Sequence, residues 1–310
     1  MLRVLAEHRD APRARSGWWR RSRSRSWPSR ERPGGRRLRR GDIDEVELGL
    51  KGKTAIVTGG GSNIGRAIVL GLAKEGVNVV ITYRDEKQAR KTADDANVLG
   101  GGRALPVKTE VVDRASVESM VKQTLEAFGR IDVLVNNVGA STDGPHVVDK
   151  PYDQIEHEVN VNYWSVIHCC KAVAPAMIER KWGRIVNLGS GVALVGRAGD
   201  TVYAASKAAV VGFTKSLSRE LGRYNITVNC VVPGWTMPED PGDVGQGSFW
   251  HGKSKEVFSP EYIEKQVKVQ PIRRVGTPRD VADMVTFLAS DRASYVTGQT
   301  VCVDGGAVIT

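Results

Sequence analysis

The sequence predicts an α/β fold, a doubly wound parallel sheet of seven strands in one domain, on three observations. Apolar runs of strand length alternate with segments of helical period from Lys53 almost to the end of the chain. The runs are continuously rich in Val, Ile and Leu, as strands covered by helices on both faces must be. Their strict strand-helix order, with no internal repeat, is the order of a parallel sheet built from crossover units.

In order, the predicted strands are TAIVT (54–58), VNVVITY (77–83), RALPV (103–107), IDVLV (131–135), GRIVNL (183–188), ITVNCVV (226–232) and QTVCV (299–303). Helical patterns cover Ile64–Glu75, Arg114–Phe128, Ile155–Arg180 and Tyr203–Arg223. One stretch breaks the rhythm. Residues 236–262 are rich in Gly, Pro and charge, with Phe249, Trp250 and Phe258 among them. A long insertion carrying aromatics reads as a substrate-covering lid, spanning about residues 235–270.

The net charge of +10 is local. Residues 1–40 hold 14 Arg and no Lys against Glu7, Asp10 and Glu31, which leaves the remaining chain at −1. Residues 1–48 therefore read as a disordered Arg/Ser-rich tail, too poor in apolar groups to offset its ordering entropy, with the domain at 49–310. An organelle transit peptide and a nucleic-acid arm in which Trp18, Trp19 and Trp27 stack on bases are the alternatives for it. No apolar run reaches the roughly 18–20 residues that a spanning helix needs, so a soluble, cytoplasmic protein without membrane partners is expected. Cys169, Cys170, Cys230 and Cys302 form no CxxC pair, and the five His show no ligand spacing, so no metal is expected.

The first strand runs directly into Gly59-Gly60-Gly61-Ser62-Asn63-Ile64-Gly65 and then a helix. Glycines allow a tight turn and close approach to a pyrophosphate, whose charge sits against the helix N-terminus. Gly59, Ser62, Asn63, Ile64 and Gly65 are therefore candidate nucleotide contacts. The second strand ends Tyr83-Arg84-Asp85. An acidic residue there would bind the free ribose hydroxyl of NAD, whereas Arg84 suits the 2′-phosphate of NADP as a charge-assisted fork. NADP(H) is the expected cofactor, with NAD(H), held through Asp85, as the alternative.

Tyr203 and Lys207 stand four apart on one helix face, and Ser190, at a strand end, precedes Tyr203 by twelve intervening residues. Upstream lie Asn136-Asn137-Val138-Gly139 and Asn160; downstream lie Pro233-Gly234 and Thr297-Gly298-Gln299 … Asp304-Gly305-Gly306. From about Leu50 to Gly306 this pattern resembles the short-chain dehydrogenase/reductase family in its compact single-domain branch, with a Rossmann-like fold. The close of the chain, Pro271-Ile-Arg-Arg-Val-Gly-Thr-Pro, is similar to the 3-oxoacyl-carrier-protein reductase group.

Reduction of a carbonyl by hydride creates an alkoxide that must be protonated, and Tyr203 is the candidate donor. A nearby ammonium, Lys207, is expected to bring the phenol down from its ordinary pKa near 10. Ser190 would hydrogen-bond the carbonyl oxygen. The resemblance further implies that Lys207 holds the nicotinamide ribose and that Asn160 holds a relay water. It places Glu110, Val111, Asn137, Gly139, Pro233, Gly234 and Thr236 along the cofactor, and it implies a homotetramer through the two long central helices. Departures from the family pattern are Asn63 for the middle glycine, Glu110 for Asp, Val138 for Ala, and a Thr236 that follows Pro-Gly sooner than usual. Val192, Leu194, Trp235 and Phe249 are expected to shape specificity. The expected function is an NADP(H)-dependent reductase of a small-molecule carbonyl. An NAD-dependent sugar, polyol or steroid dehydrogenase, and a nucleotide-sensing or nucleic-acid-binding scaffold using the tail, remain as alternatives.

Overall fold

The computed structural model describes residues 47–142, 146–245, 250–251, 259–268 and 270–309. The Arg-rich segment to residue 46, Phe249 and Phe258 lie outside the described residues. All seven predicted strands form: β1 (Thr54–Val57), β2 (Asn78–Tyr83), β3 (Ala104–Lys108), β4 (Val133–Asn136), β5 (Gly183–Leu188), β6 (Ile226–Pro233) and β7 (Thr300–Val303). They make one parallel sheet in the order β3-β2-β1-β4-β5-β6-β7.

Every residue of β1, β4 and β5 is buried, which explains why their sequences show no polar alternation. The period of two survives inside the apolar runs. Val57, Val79, Ile81, Val133 and Val135 pack on one face with α1 (Asn63–Lys74), α2 (Glu86–Asn97) and, late in the chain, α9 (Pro278–Ala289). Ile56, Val80, Leu134 and Ile185 pack on the other with α3 (Arg114–Phe128), α5 (Ser165–Arg180) and α7 (Thr201–Leu221). Strand order reverses between β1 and β4, and the crevice at the carboxyl ends of these strands is where such a sheet accepts a ligand.

Two boundaries differ from expectation. Leu48 packs on the core, and its carbonyl accepts from Asp291 N–H at 2.9 Å, so the folded body includes residues 47–48. The helix expected over Ile155–Arg180 is divided. It starts earlier as α4 (Tyr152–Val159), passes through one π-turn (Asn160–Trp164) and continues as α5. A short helix, α6 (Val192–Val195), follows β5, and α8 (Pro260–Val267) lies in the insertion.

Candidate active site

The crevice holds a cavity of about 1220 Å³. At one end the phosphate loop joins β1 to α1. Gly65 has no room for a side chain: a Cβ would meet the Gly59 carbonyl, and would lie 2.7 Å from Asn137 Nδ2. Asn63 takes the left-handed conformation (φ 45°) that the family's glycine would adopt without strain, and Asn tolerates it better than most residues. Asn137 Nδ2 donates to the carbonyls of Thr58 (2.9 Å) and Gly59 (3.3 Å), and Gly59 N–H donates to Thr82 Oγ1 at 3.1 Å. The side chain of Asn137 thus ties the loop to β4.

The pocket walls suit a nucleotide. Asn63 Oδ1 and Gln88 Oε1 are buried at the cavity lining with no hydrogen-bond partner among the described residues, and such orphaned acceptors call for an external donor. Tyr83, Arg84 and Lys87 line the same end, with Arg84 exposed. The Asp85 side chain caps α2 by accepting from Gln88 N–H at 3.3 Å. Glu110, Val111, Gly139, Pro233, Gly234 and Thr236 line the cavity. The insertion reaches α1 and α2 behind this end, where Asp243 Oδ1 lies 3.0 Å from both Arg66 Nε and Lys91 Nζ.

The catalytic candidates meet in the middle of the cavity. α7 carries Tyr203 and Lys207 one turn apart, and a buried polar chain holds that helix to the sheet. Asn136 Nδ2 donates to Asn187 Oδ1 (2.8 Å), and Asn187 Nδ2 donates to Thr214 Oγ1 (2.9 Å). Lys207 is buried, its Nζ donating to the Leu188 carbonyl at 2.9 Å and lying 5.9 Å from the centre of the Tyr203 ring. Burial pushes the Lys207 ammonium down to about 8. Ser190, just past β5, hydrogen-bonds the Tyr203 hydroxyl.

Two expectations are corrected. Burial outweighs the Ser190 hydrogen bond and raises the Tyr203 phenol above its ordinary range. Lys207 does not bring it down, because an ammonium pushed down to about 8 has already lost its proton over the range where the phenol titrates. Asn160 is exposed and off the cavity, whereas Asn162, two residues on, is fully buried. Asn162 Nδ2 donates to the carbonyls of Ala140 (2.6 Å) and Glu158 (2.8 Å), and its Oδ1 accepts from Ala140 N–H (3.1 Å). The second Asn of Asn160-Val-Asn162 was the available signal.

Val192 and Trp235 line the cavity, and the Trp235 ring packs edge-on to Tyr262 (5.8 Å) and tilted to Trp250 (6.5 Å). Leu194 instead packs into the core, and Val195 takes its place at the cavity. Ser141, Arg197 and Asp200 were not anticipated: Ser141 Oγ donates to Asp200 Oδ1 at 3.0 Å, and Arg197 pairs with the same carboxylate. Asp200 stands at the N-terminus of the helix bearing Tyr203. Among the described residues no His/Cys/Asp/Glu group could hold a metal ion, and no helix is long and apolar enough to cross a membrane.

The family described as "Enoyl-(Acyl carrier protein) reductase" matches residues 59–308, a span that contains Asn162, Ser190, Tyr203 and Lys207. The chain is a short-chain dehydrogenase/reductase. It is similar to the 3-oxoacyl-[acyl-carrier-protein] reductase of Thermotoga maritima, with 38% identity over 260 residues, 84% of this chain and 99% of that one. The enzyme of that name from Staphylococcus aureus strain N315 is 36% identical over 82% of this chain and 97% of its own length. A (2S)-[(R)-hydroxy(phenyl)methyl]succinyl-CoA dehydrogenase subunit from Thauera aromatica is 37% identical over 84% of this chain and 98% of that one. Among solved structures, a 7α-hydroxysteroid dehydrogenase with NADH and 7-oxo glycochenodeoxycholic acid superposes with a TM-score of 0.75, at 32% identity, covering 84% of this chain and 96% of that one. This dehydrogenase/reductase is therefore an NAD(P)-dependent oxidoreductase acting on a CH–OH group or its carbonyl.

Proposed function

We propose that the protein is an NADPH-dependent ketone reductase whose substrate class is a 3-oxoacyl thioester, working in the cytoplasm as a homotetramer packed through α5 and α7. The observation that carries the reading is one cavity that joins Ser190, Tyr203 and Lys207 to a ribose end lined by Arg84 and Lys87. There Arg84 and Lys87 face the ligand space, while the Asp85 carboxylate is engaged as a helix cap. A 2′-phosphate would satisfy that end better than a bare ribose hydroxyl would. The thioester class follows the carrier-protein and CoA relatives.

Bound NADPH would supply the hydride. The residues of the chain do the rest. Ser190 orients the carbonyl oxygen next to the Tyr203 hydroxyl, and Tyr203 delivers the proton. A phenol held above its ordinary pKa is fully protonated at neutral pH, the form that reduction requires. Lys207, fixed by the Leu188 carbonyl, presents its remaining protons to the nicotinamide ribose. Asn162, in place of Asn160, takes the relay position beside Lys207. Val192, Val195, Trp235 and Trp250 give the acyl chain an apolar wall.

The test is a paired fluorescence titration with NADPH and NADH on the wild type and Arg84→Ala, followed by turnover of a 3-oxoacyl thioester by Tyr203→Phe. Tighter NADPH binding that falls about 10-fold in Arg84→Ala is expected, the loss of one or two hydrogen bonds to a charged group. Tyr203→Phe should bind NADPH normally and lose at least about 100-fold in turnover. NADH preference untouched by Arg84→Ala, or full turnover by Tyr203→Phe, would overturn the reading.

A further inference from the structure

The polar contacts on the Ser141 side of the cavity converge on a carboxylate that the proton and hydride chemistry does not use. Glu158, near the end of α4, is fully buried. Its Oε1 accepts from Thr142 N–H (2.8 Å), from the Thr142 hydroxyl (2.5 Å) and from Lys150 Nζ (2.8 Å). Lys150 is buried as well, and also donates to Thr142 Oγ1 at 3.1 Å. The backbone carbonyl of Glu158 receives the Asn162 amide, which in turn holds both polar groups of Ala140. Two side chains one turn apart, Glu158 and Asn162, therefore grip the loop after β4 at alternate residues, Thr142 and Ala140. Between them Ser141 reaches across to Asp200, at the start of α7.

A buried ion pair adds little stability over a well-packed apolar pair, so what this one contributes is geometry. We propose that Glu158, with Lys150 as counter-ion, is a positioning residue of the reductase: it fixes Ala140–Thr142 and so sets where Ser141 and Asn162 stand relative to Tyr203. The inference rests on the carbonyl-reductase reading given above. The charged groups facing Tyr203 are Asp200 and Arg197 from the turn before α7, Lys207 from α7 itself, and Glu158 from α4. Glu158 and Asp200 disfavour the phenolate, and Arg197 favours it.

The test compares Glu158→Leu with Lys150→Met, which strands no charge and so folds, against Glu158→Gln with Lys150→Met, which restores acceptors for Thr142 without a charge. Hydrogen exchange of the 140–142 amides is read by mass spectrometry, alongside kcat, KM and the pH profile. The Leu/Met variant should exchange at least about 10-fold faster at 140–142 and lose about 10-fold in kcat, with NADPH affinity within twofold, since the grip on Thr142 is one charge-assisted hydrogen-bond set. The Gln/Met variant should recover most of both. In each, the alkaline limb of kcat should move to lower pH, because a carboxylate facing the phenol is gone; a purely structural role would leave that limb in place. A folded Leu/Met variant with exchange and kcat within twofold of wild type would overturn the proposal, as would a loosened loop with unchanged kcat and an unmoved limb. If the wild type binds neither nucleotide, the reductase reading itself falls and the positioning role with it, whereas the exchange data still report whether Glu158 holds the loop.

Discussion

Gly139 is the residue at which one added methyl group should do the most damage. It follows β4, and a Cβ built on it would lie 2.8 Å from Lys207 Nζ, 2.9 Å from Asn162 Oδ1 and 3.2 Å from Lys207 Cε. Neither neighbour is free to retreat. Lys207 is buried and bound to the Leu188 carbonyl, and Asn162 is fixed by three hydrogen bonds. Overpacking by a methyl in such a place costs about 1–3 kcal/mol. If Lys207 gives way, it forfeits a hydrogen bond from a charged donor, about 1.5–3 kcal/mol. Both routes displace a group that the proposed reaction needs. At 1.36 kcal/mol per factor of ten, Gly139→Ala should lower kcat by about 10- to 100-fold. The melting temperature should fall by about 2–8 °C in a body of this size. Initial rates of NADPH oxidation with a saturating 3-oxoacyl thioester, and a thermal melt, measure the two. A variant with kcat within twofold and an unchanged melt would show that Lys207 and Asn162 do not stand where the structure puts them.

Further predictions follow from the titrating and paired groups. Lys207 at about 8 lies below the ordinary lysine value, so between about pH 8 and 10.5 the unfolded chain holds a proton that the folded chain has lost. Wild-type stability relative to Lys207→Met should therefore rise by about 3 kcal/mol across that window, as read by urea unfolding at a series of pH values. Asp280 closes a capping box with Thr277 at the start of α9 and pairs with Arg274, which holds its carboxyl below the usual range. Asp280→Ala should cost about 1–2 kcal/mol at pH 7. Because the depressed pKa stabilises only above the ordinary carboxylate value, wild type and variant should converge as pH falls below about 4. Asp243→Asn removes the ion pairs of the insertion with Arg66 and Lys91; if the insertion closes over the cofactor, NADPH should leave about two- to fivefold faster at low salt in stopped-flow release, the difference vanishing near 1 M salt.

The strands were legible because complete burial on both faces leaves an uninterrupted apolar run, and the pairing partners then follow from parallel crossover geometry. The nucleotide loop was legible for a comparable reason: close backbone approach permits few residue types, and Asn63 at φ 45° is one of the few that can replace glycine there. The Lys150–Glu158 pair was hidden. Two charges in a polar stretch read as solvated surface, and only tertiary packing puts them out of water together. The state of the Tyr203 phenol was hidden too. Sequence spacing brings an ammonium near, but whether the charge or the burial wins depends on how far the lysine is itself desolvated.

The choice between Asn160 and Asn162 is a question of helix phase. On a regular helix two residues are separated by about 200°, so the pair must face opposite ways, and only the phase of the helix tells which faces in. That phase is set by the apolar stripe on either side. Here the stripe carries across, even though the backbone passes through a π-turn at Asn160–Trp164. Counting back four from the buried Val166 and seven from the buried Cys169 of α5 lands on Asn162, and counting four forward from the buried Glu158 of α4 lands there too. The turn itself has an evident cause in the contacts it satisfies. It brings the Asn162 side chain against Ala140 while its amide still reaches the Glu158 carbonyl one turn back. The irregular turn that carries the inward-facing asparagine is thus the same turn that lets it hold the loop after β4.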